Sequence, residues 1–328
     1  MLLVGDIGGT NTRLALFSKD ATKLEHEAVL PSADHPSLSS AIGAFLGPKK
    51  KWPRLTGATF GIAGPVLKGR VHATNIPWVV DERVLARQLG LRRVTLLNDL
   101  VALALGAVAA GKKDLHWLLG TRPPRASAGN IVVLAAGTGL GEAALVWDGT
   151  RLVPCGGEGG HSEFAARTEL EWELHEFIAQ RIGGRVSCER VLSGPGVGTI
   201  YDFFRQKRGV KETASIAKQI AVAGDRNAMI AELGLTKKSD ACAQTLALFA
   251  TIYGAEAGNL ALKFLATGGV FLAGNIAATM APILEHRFSP AFLDQGRMSP
   301  LLRQMPVAIV KSSSIGLSGS ARHAAGLT

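Results

Sequence analysis

Short apolar runs alternate with amphipathic or alanine-rich segments along most of the chain. The apolar runs have the length and composition of buried strands, and the other segments have helical spacing. Strands are predicted at 2–7, 13–17, 56–63, 69–73, 94–97, 130–135, 143–147, 268–275 and 306–310, and helices at 37–46, 81–89, 100–110, 168–182, 241–266 (as two tracts) and 316–325. The alternation predicts an α/β fold with a mixed sheet, and 74–79 and 114–130 are expected to form loops.

The turn after the first predicted strand has the composition of a phosphate-binding loop. Gly8 and Gly9 can adopt positive φ and have no Cβ, so the backbone can approach a phosphate. Hydroxyl, amide and guanidinium donors follow from Thr10, Asn11, Thr12 and Arg13. Asp6 is available for a hydrated Mg²⁺. The alternative for so short a motif is an ordinary β-hairpin with a glycine turn.

A second strand–turn–strand segment follows about 130 residues later. Its turn contains Gly137, Thr138 and Gly139, and an apolar strand returns at 143–147. Two such loops, one in each of two domains, predict that one polyphosphate is held across a cleft.

Three further segments place polar side chains beside strand ends or glycines. Asn98 and Asp99 separate a buried strand from an alanine-rich helix, which is typical of a helix N-cap but also of a ligand-binding strand end. Asp99 could accept a proton from a substrate hydroxyl at that position. Glu158 and His161 lie in the glycine-rich run 156–161, which leaves room for a ligand, although His161 taken alone is equally typical of a loop histidine with structural partners. Glu189 begins a short helix, where a glutamate often interacts with the helix dipole.

Composition and charge narrow the class of protein. The chain has 328 residues, enough for two domains, and its three cysteines have no disulfide or zinc-site spacing. The net charge of +10 is scattered, which favours a solvated surface over a nucleic-acid interface. The amino terminus does not resemble a signal peptide, and no apolar tract reaches the roughly 18 residues of a membrane span. We therefore predict a soluble, cytoplasmic protein that binds neither nucleic acid nor membrane.

Taken in order, these motifs resemble the bacterial glucokinase family of the hexokinase, actin and Hsp70 superfamily. The resemblance covers about residues 2–200 and 241–320. It rests on DIGGTNTRLALF, GIAGPV with TNIPW, LLNDL, AAGTGLGEA, GGEGGH, SCERVLSGPG and GGVFLAGNIA.

This resemblance implies an actin-like ATPase fold of the ribonuclease H-like type, with two α/β domains flanking a cleft. The implied smaller domain is 1–108, with 302–328 packing back on it, and the larger is 109–301. The implied activity is the glycolytic transfer of the γ-phosphoryl group of ATP to the 6-hydroxyl of glucose with Mg²⁺. A homodimer is common among similar proteins.

The resemblance also implies roles for individual residues. Asp99 corresponds to the catalytic base. Sugar hydroxyls are contacted by Asn98, Asp99, Glu158, His161 and Glu189. Nucleotide contacts come from Asp6, Gly8, Gly9, Thr10, Asn11, Thr12, Arg13, Gly137, Thr138, Gly139, Gly274 and Asn275. At position 275 the family more often has glycine, and Asp6 is expected to contact the metal through water.

Two other classes of protein are compatible with the same fold. A sugar-responsive regulator would need a DNA-binding module, and a first strand that begins at Leu2 leaves no room for one upstream. An actin-like or chaperone ATPase would have no use for the two glutamates and the histidine predicted to bind sugar. We therefore predict a hexose kinase.

Overall fold

The structure is a computed structural model that describes residues 1–73, 76–121, 129–312 and 314–327. Parts of two predicted loops, 74–75 and 122–128, lie outside these residues. The strands are β1 (Leu2–Ile7), β2 (Asn11–Phe17), β3 (Leu24–Pro31), β4 (Gly57–Ile62), β5 (Arg70–His72), β6 (Val79–Asp81), β7 (Thr95–Asn98), β8 (Leu115–Leu119), β9 (Ile131–Ala136), β10 (Leu140–Trp147), β11 (Leu152–Gly157), β12 (Gly269–Ala273) and β13 (Val307–Val310). The α-helices are α1 (Leu38–Leu46), α2 (Glu82–Leu89), α3 (Asp99–Ala109), α4 (Glu169–Ile182), α5 (Cys188–Val191), α6 (Gly194–Asp202), α7 (Ala214–Val222), α8 (Arg226–Leu235), α9 (Asp240–Phe264), α10 (Gly274–Thr279), α11 (Ala281–Leu293), α12 (Ser299–Leu302) and α13 (Ile315–Ala324).

The chain divides into two compact units. Unit 1 contains Met1–Asp114, Ala143–Gly157 and Ser312–Thr328, and unit 2 contains Leu115–Glu142 and Glu158–Lys311. The domain boundaries expected at 108 and 301 stay a prediction. No helix in the described part of the chain is long and apolar enough to cross a membrane.

Unit 1 is built on a five-stranded mixed sheet with the order β3-β2-β1-β4-β7. Strands β1, β4 and β7 are parallel, so their carboxyl ends lie along one edge. The register pairs Asp6 with Gly61, and Ile62 with Asn98. Strands β5 and β6 form a separate antiparallel pair.

The period-2 pattern of β1 explains how this sheet is covered. Leu3 and Ile7 point into a cluster with Phe60 of β4 on one face. Leu2 and Val4 point to the other face and pack near Leu317 of α13. Because both faces are covered, the first strand reads as an almost continuous apolar run.

Helices α3 and α13 pack closely through small residues. A Cβ at Gly319 would lie 1.9 Å from the carbonyl oxygen of Ala102, and one at Gly106 would lie 2.0 Å from that of Ile315. The two helices can therefore approach this closely because Gly319 and Gly106 have no side chains. Helix α13 also packs on β1 and β4, so the end of the chain completes unit 1.

A six-stranded sheet has the order β11-β10-β9-β12-β13-β8. Strands β9, β12 and β13 are parallel, and β8 is antiparallel to β13. The prediction of a mixed-sheet α/β fold is confirmed, whereas the loop expected over 114–130 is wrong at Leu115–Leu119. That segment is apolar and pairs with the edge of the sheet, which the sequence alone does not reveal.

Two other details differ from the prediction. The two helical tracts expected over 241–266 form the single helix α9, because Gly254 and Gly258 lie inside it and pack against Phe288 and Phe292 rather than ending it. The glutamates of α4 (Glu169, Glu171, Glu173 and Glu176) predict a solvated side of this helix, but Glu171 is only 1% exposed. Its carboxylate accepts a hydrogen bond from the backbone N–H of Arg167 at 2.7 Å, which satisfies the buried charge.

Substitution of Gly319 by alanine tests the close packing of α3 and α13. We expect Gly319→Ala to lower the free energy of unfolding by about 1–3 kcal/mol, because the new methyl group overlaps backbone atoms that cannot move independently. Gly316→Ala is the matched control, since a Cβ at Gly316 meets no atom within 4 Å and alanine favours the helix by up to about 1 kcal/mol. Urea unfolding measures both, and equal stability of the two variants would contradict the packing argument.

Candidate active site

In unit 1, the turn after β1 is held by hydrogen bonds from both sides. The N–H of Gly8 donates to the carbonyl oxygen of Asn11 at 3.0 Å. The hydroxyl of Ser32 donates to the carbonyl oxygen of Gly8 at 2.8 Å and lies 2.9 Å from the buried hydroxyl of Thr12. Thr12 therefore supports the turn from inside. Ser32 carries no motif that would have identified it from the sequence.

Gly8 serves close approach rather than unusual backbone conformation. A Cβ at Gly8 would lie 3.1 Å from the carbonyl oxygen of Asn11. Neither Gly8 nor Gly9 is among the positive-φ residues of the described chain, so the turn does not use the positive φ that glycine permits. Thr10 and Asn11 are exposed at the tip of the turn.

Asp6 lies beside this turn, near the carboxyl end of β1. Burial raises the pKa of its carboxyl group, and the positive charge of Arg13 partly opposes that shift. Arg13 is the register partner of Asp6 in β2, and its Nε also lies 3.4 Å from Oε1 of Glu27. The effect of burial exceeds that of the guanidinium, so a further cation near Asp6 would favour the charged carboxylate.

Asn98 and Asp99 lie on the same sheet edge, at the end of β7. Oδ1 of Asn98 and Oδ1 of Asp99 each accept from the N–H of Leu100 at 3.0 Å, so the N-cap interpretation is confirmed. Nδ2 of Asn98 also donates to the carbonyl oxygen of Gly64 at 3.3 Å. The side chains of both residues are thereby oriented by the backbone. Strand β4 separates β7 from β1, so Asp6 and Asn98 lie about 10 Å apart along this edge.

In unit 2, two glycine turns follow neighbouring parallel strands. Strand β9 ends before Gly137 and β12 ends before Gly274, and the register pairs Ala135 with Ala273. Gly274 has a φ of +85°, and a Cβ there would lie 2.6 Å from the carbonyl oxygen of Ala136. Glycine is required at this position for both reasons. The predicted second phosphate segment, with exposed Thr138, and the predicted adenosine segment, with exposed Asn275, therefore share one edge of the sheet.

Glu189 is joined to the first of these turns. Its Oε2 accepts from the N–H of Leu140 at 3.0 Å, and its Oε1 lies 4.0 Å from Nδ1 of His161. A Cβ at Gly139 would lie 2.3 Å from Oε2 of Glu189. The structure thus brings Glu189, His161 and the Gly137–Thr138–Gly139 turn together, although they are distant in sequence.

Glu158 is exposed, and it precedes the short 3₁₀ turn Gly159–His161. The N–H of His161 donates to the carbonyl oxygen of Glu158 at 3.0 Å, so the two predicted sugar-binding residues belong to one turn. Gly160 is required for packing, since a Cβ there would lie 1.9 Å from the carbonyl oxygen of Leu140. Glycine is therefore needed at position 160 because the backbone packs against β10, and not because a ligand requires the space.

Glu142 is a charged residue beneath this turn that sequence reasoning did not single out. Its side chain is 5% exposed, and its Oε2 occupies the space that a Cβ at Gly159 would need. Burial raises the pKa of Glu142 to about 7, the nearby negative charge of Glu256 adds to the shift, and Lys263 opposes it. Within the described residues, Oε1 of Glu142 makes no hydrogen bond. The position of Glu142 in the AAGTGLGEA segment was a signal, but its burial required the structure.

Comparisons with known proteins agree over the whole chain. The family model described as Glucokinase matches residues 3–327. The glucokinase of Nostoc punctiforme is 38% identical, and the alignment covers 100% of this chain and 99% of that protein. The crystal structure of a glucokinase from an Antarctic psychrotroph has a TM-score of 0.83 and 31% identity, covering 99% of this chain and 98% of that one. A ROK family glucokinase from Streptomyces griseus, solved in complex with glucose and AMPPNP, has a TM-score of 0.66 at 19% identity and covers 98% of each chain; it shows the fold alone.

The fold is that of sugar kinases with the actin-like ATPase fold, so that prediction is confirmed. The chain belongs to the glucokinase family. It is accordingly a hexose kinase, as its motifs indicate.

The raised pKa of Glu142 predicts a pH-dependent stability. Its carboxyl has a pKa of about 7 in the folded protein against an ordinary value of 4.5, so between these values the folded state binds more protons than the unfolded state. The free energy of unfolding therefore falls as the pH rises through this range, and the penalty is fully present above it. We expect Glu142→Gln, which stays neutral, to unfold at a higher temperature than the parent near pH 8. Its unfolding temperature should also decrease less than the parent's between about pH 5 and about pH 8.

Thermal unfolding at both pH values measures this effect. Glu176→Gln, which removes an exposed carboxyl group on α4, is the control and should keep the parent's pH dependence. Parallel curves for the parent and Glu142→Gln would show that Glu142 does not carry the buried proton.

Proposed function

We propose that this protein transfers the γ-phosphoryl group of ATP to the 6-hydroxyl of glucose, with Asp99 as the general base. Membership of the glucokinase family is the observation that carries the proposal. The Streptomyces griseus protein was solved with glucose and an ATP analogue, which supports the choice of both substrates. The half-buried position of Asp99 at a strand end supports its role.

Asp99 accepts the proton of the attacking hydroxyl in the proposed reaction. Phosphoryl transfer has a loose transition state, so the protein mainly positions the reactants and stabilises charge. A correctly placed base contributes about 10²- to 10⁴-fold to such a reaction. The hydrogen bond from the N–H of Leu100 to Oδ1 of Asp99 restricts the orientation of the carboxylate.

The proposed sugar contacts come from Asn98, Glu158, His161 and Glu189. A hexose has several hydroxyl groups and no charge, so ionised and amide groups select it by accepting and donating hydrogen bonds. Hydrogen bonds to charged groups each contribute roughly 1.5–3 kcal/mol. The contacts of Glu189 with Leu140 and His161 support this assignment, because they hold the carboxylate of Glu189 beside another candidate ligand, His161.

The proposed nucleotide contacts are the turn at residues 8–13, the turn at residues 137–139 and the segment at Gly274 and Asn275. Mg²⁺ binds through one or two carboxylates, phosphate oxygens and several waters rather than through a complete protein cage. Among the described residues no cluster of three or more His, Cys, Asp or Glu could hold a metal. Asp6 fits a hydrated ion that arrives with the nucleotide, and that ion neutralises charge on the phosphates. The cytoplasmic location and the homodimer remain predictions.

Sugar-dependent turnover of ATP tests the proposed reaction. We expect ADP to form with glucose and only at trace rates without it, because the acceptor hydroxyl is missing. A coupled assay over a panel of hexoses and phosphoryl donors measures this. Equal ADP formation with and without sugar would favour an actin-like or chaperone ATPase, and no turnover with any pair would favour a regulator.

Asp99→Asn tests the proposed base. Asparagine keeps the oxygen that accepts from Leu100, so the start of α3 should be preserved, whereas the amide cannot take a proton. We expect kcat to fall by about 10²- to 10⁴-fold and the Kd for glucose to change little. Steady-state kinetics and calorimetric titration with glucose measure the two effects, and a near-normal kcat would remove Asp99 from this role.

A further inference from the structure

Unit 1 contains a cavity of about 580 Å³ away from the edge that carries Asn98 and Asp99. It lies at the amino-terminal ends of β4 and β7, beside the carboxyl end of α13 and the start of β11. Thr95, at the cavity, precedes Asn98 by three residues in β7, which corresponds to about 10 Å along the strand. The cavity is therefore separate from the proposed sugar-binding residues of this unit.

The ionisable residues that line this cavity are all basic. Arg92, Arg93 and Arg151 line it together with His323, and none of the described residues that line it is acidic. Arg151 lies 3.7 Å from Asp148, and both side chains are largely exposed. Arg92 and Arg93 form no ion pair with any described residue. Two arginines that line one cavity and have no carboxylate partner in the described chain favour the binding of an anion there.

One residue that lines the cavity carries a buried hydroxyl group with no hydrogen-bond partner in the described chain. Thr59 lines the cavity, is 1% exposed, and its Oγ1 makes no hydrogen bond within the described part of the chain. An unpaired buried hydroxyl is unfavourable, and valine would fill the same volume without that cost. Thr95 also lines the cavity and adds a second hydroxyl group, whereas the hydroxyl of Thr56, another lining residue, donates to the carbonyl oxygen of Met1 at 3.3 Å.

His323 provides a titratable group at the same place. Burial lowers the pKa of its imidazole, and the positive charge of Arg93 lowers it further. The charged groups that line the cavity around it are Arg92, Arg93 and Arg151. An anion bound among them would offset this repulsion and raise the pKa of His323.

We propose that this cavity binds a phosphate dianion, either as free phosphate or as the phosphoryl group of a small phosphate monoester. Guanidinium groups match the geometry of phosphate oxygens with paired hydrogen bonds. The volume exceeds that of the anion alone and leaves room for an attached organic group. The inference does not depend on the proposed reaction.

Calorimetric titration of the full chain tests the proposal. The ligands are inorganic phosphate, glycerol 3-phosphate as a simple monoester, and glycerol as the phosphate-free control; the tighter of the first two identifies the form that binds. We expect Arg92→Gln/Arg93→Gln to weaken phosphate binding by at least about tenfold, since it removes charge-assisted hydrogen bonds. The matched control Lys50→Gln/Lys51→Gln removes two exposed charges that do not line the cavity, and it should change the affinity less than about twofold.

Phosphate could also bind the predicted nucleotide turn, so Arg13→Gln is titrated in parallel. The proposal is overturned if the parent does not bind phosphate, if both double variants lose binding equally, or if only Arg13→Gln loses it. Circular dichroism confirms folding of each variant.

Two further measurements place the anion in the cavity. Saturating phosphate should raise the pKa of His323, followed by NMR of the imidazole signals with His323→Gln for assignment. Thr59→Val should unfold at a higher temperature without phosphate and bind phosphate several-fold more weakly, because the unpaired hydroxyl is removed. An unshifted His323 together with unchanged affinity in Thr59→Val would show that the anion binds elsewhere.

Discussion

Parallel pairing of neighbouring strands is the constraint on which the candidate residues depend. In unit 1 the register between β1, β4 and β7 places Asp6 and Asn98 on one sheet edge. In unit 2 the register between β9 and β12 does the same for the turns at Gly137 and Gly274. A shift of one residue in either register would reverse which side chains face the core, so burial of the strands also sets the positions of the polar groups that follow them.

Close backbone approach explains several of the glycines in this protein. Gly160 packs on Leu140, Gly139 on the carboxylate of Glu189, and Gly319 on Ala102. None of these three positions has a positive φ, whereas Gly274 combines positive φ with a close contact. The absence of a side chain at Gly139 therefore leaves space for the carboxylate of Glu189, which accepts a hydrogen bond from the backbone N–H of Leu140.

Hydrogen bonding distinguishes two buried carboxylates of unit 2, those of Glu171 and Glu142. Glu171 is buried but accepts a backbone hydrogen bond, so its burial is compensated. Glu142 is buried beside Glu256 with an oxygen that lacks a hydrogen bond in the described chain, and its pKa rises to about 7. Because the carboxyl group of Glu142 packs against Gly159, its protonation affects the packing of the turn that carries Glu158 and His161. The carboxylates proposed to bind sugar stay at least partly exposed, where ionisation is inexpensive.

The sequence by itself determined the α/β class, the N-cap at Asn98 and the family, because these depend on local periodicity, capping and ordered motifs. For the same reason it located the parallel strands β1, β4, β7, β9, β12 and β13 and the helices α1–α4 and α13. It did not reveal β8, since the short segment Leu115–Leu119 becomes a strand only by pairing with β13. It could not show that Ser32 supports the turn at Gly8, that Glu142 is buried, or that Arg92, Arg93 and Thr59 line one cavity with His323. Those facts depend on contacts between residues far apart in the chain, and only the tertiary structure decides which distant residues meet.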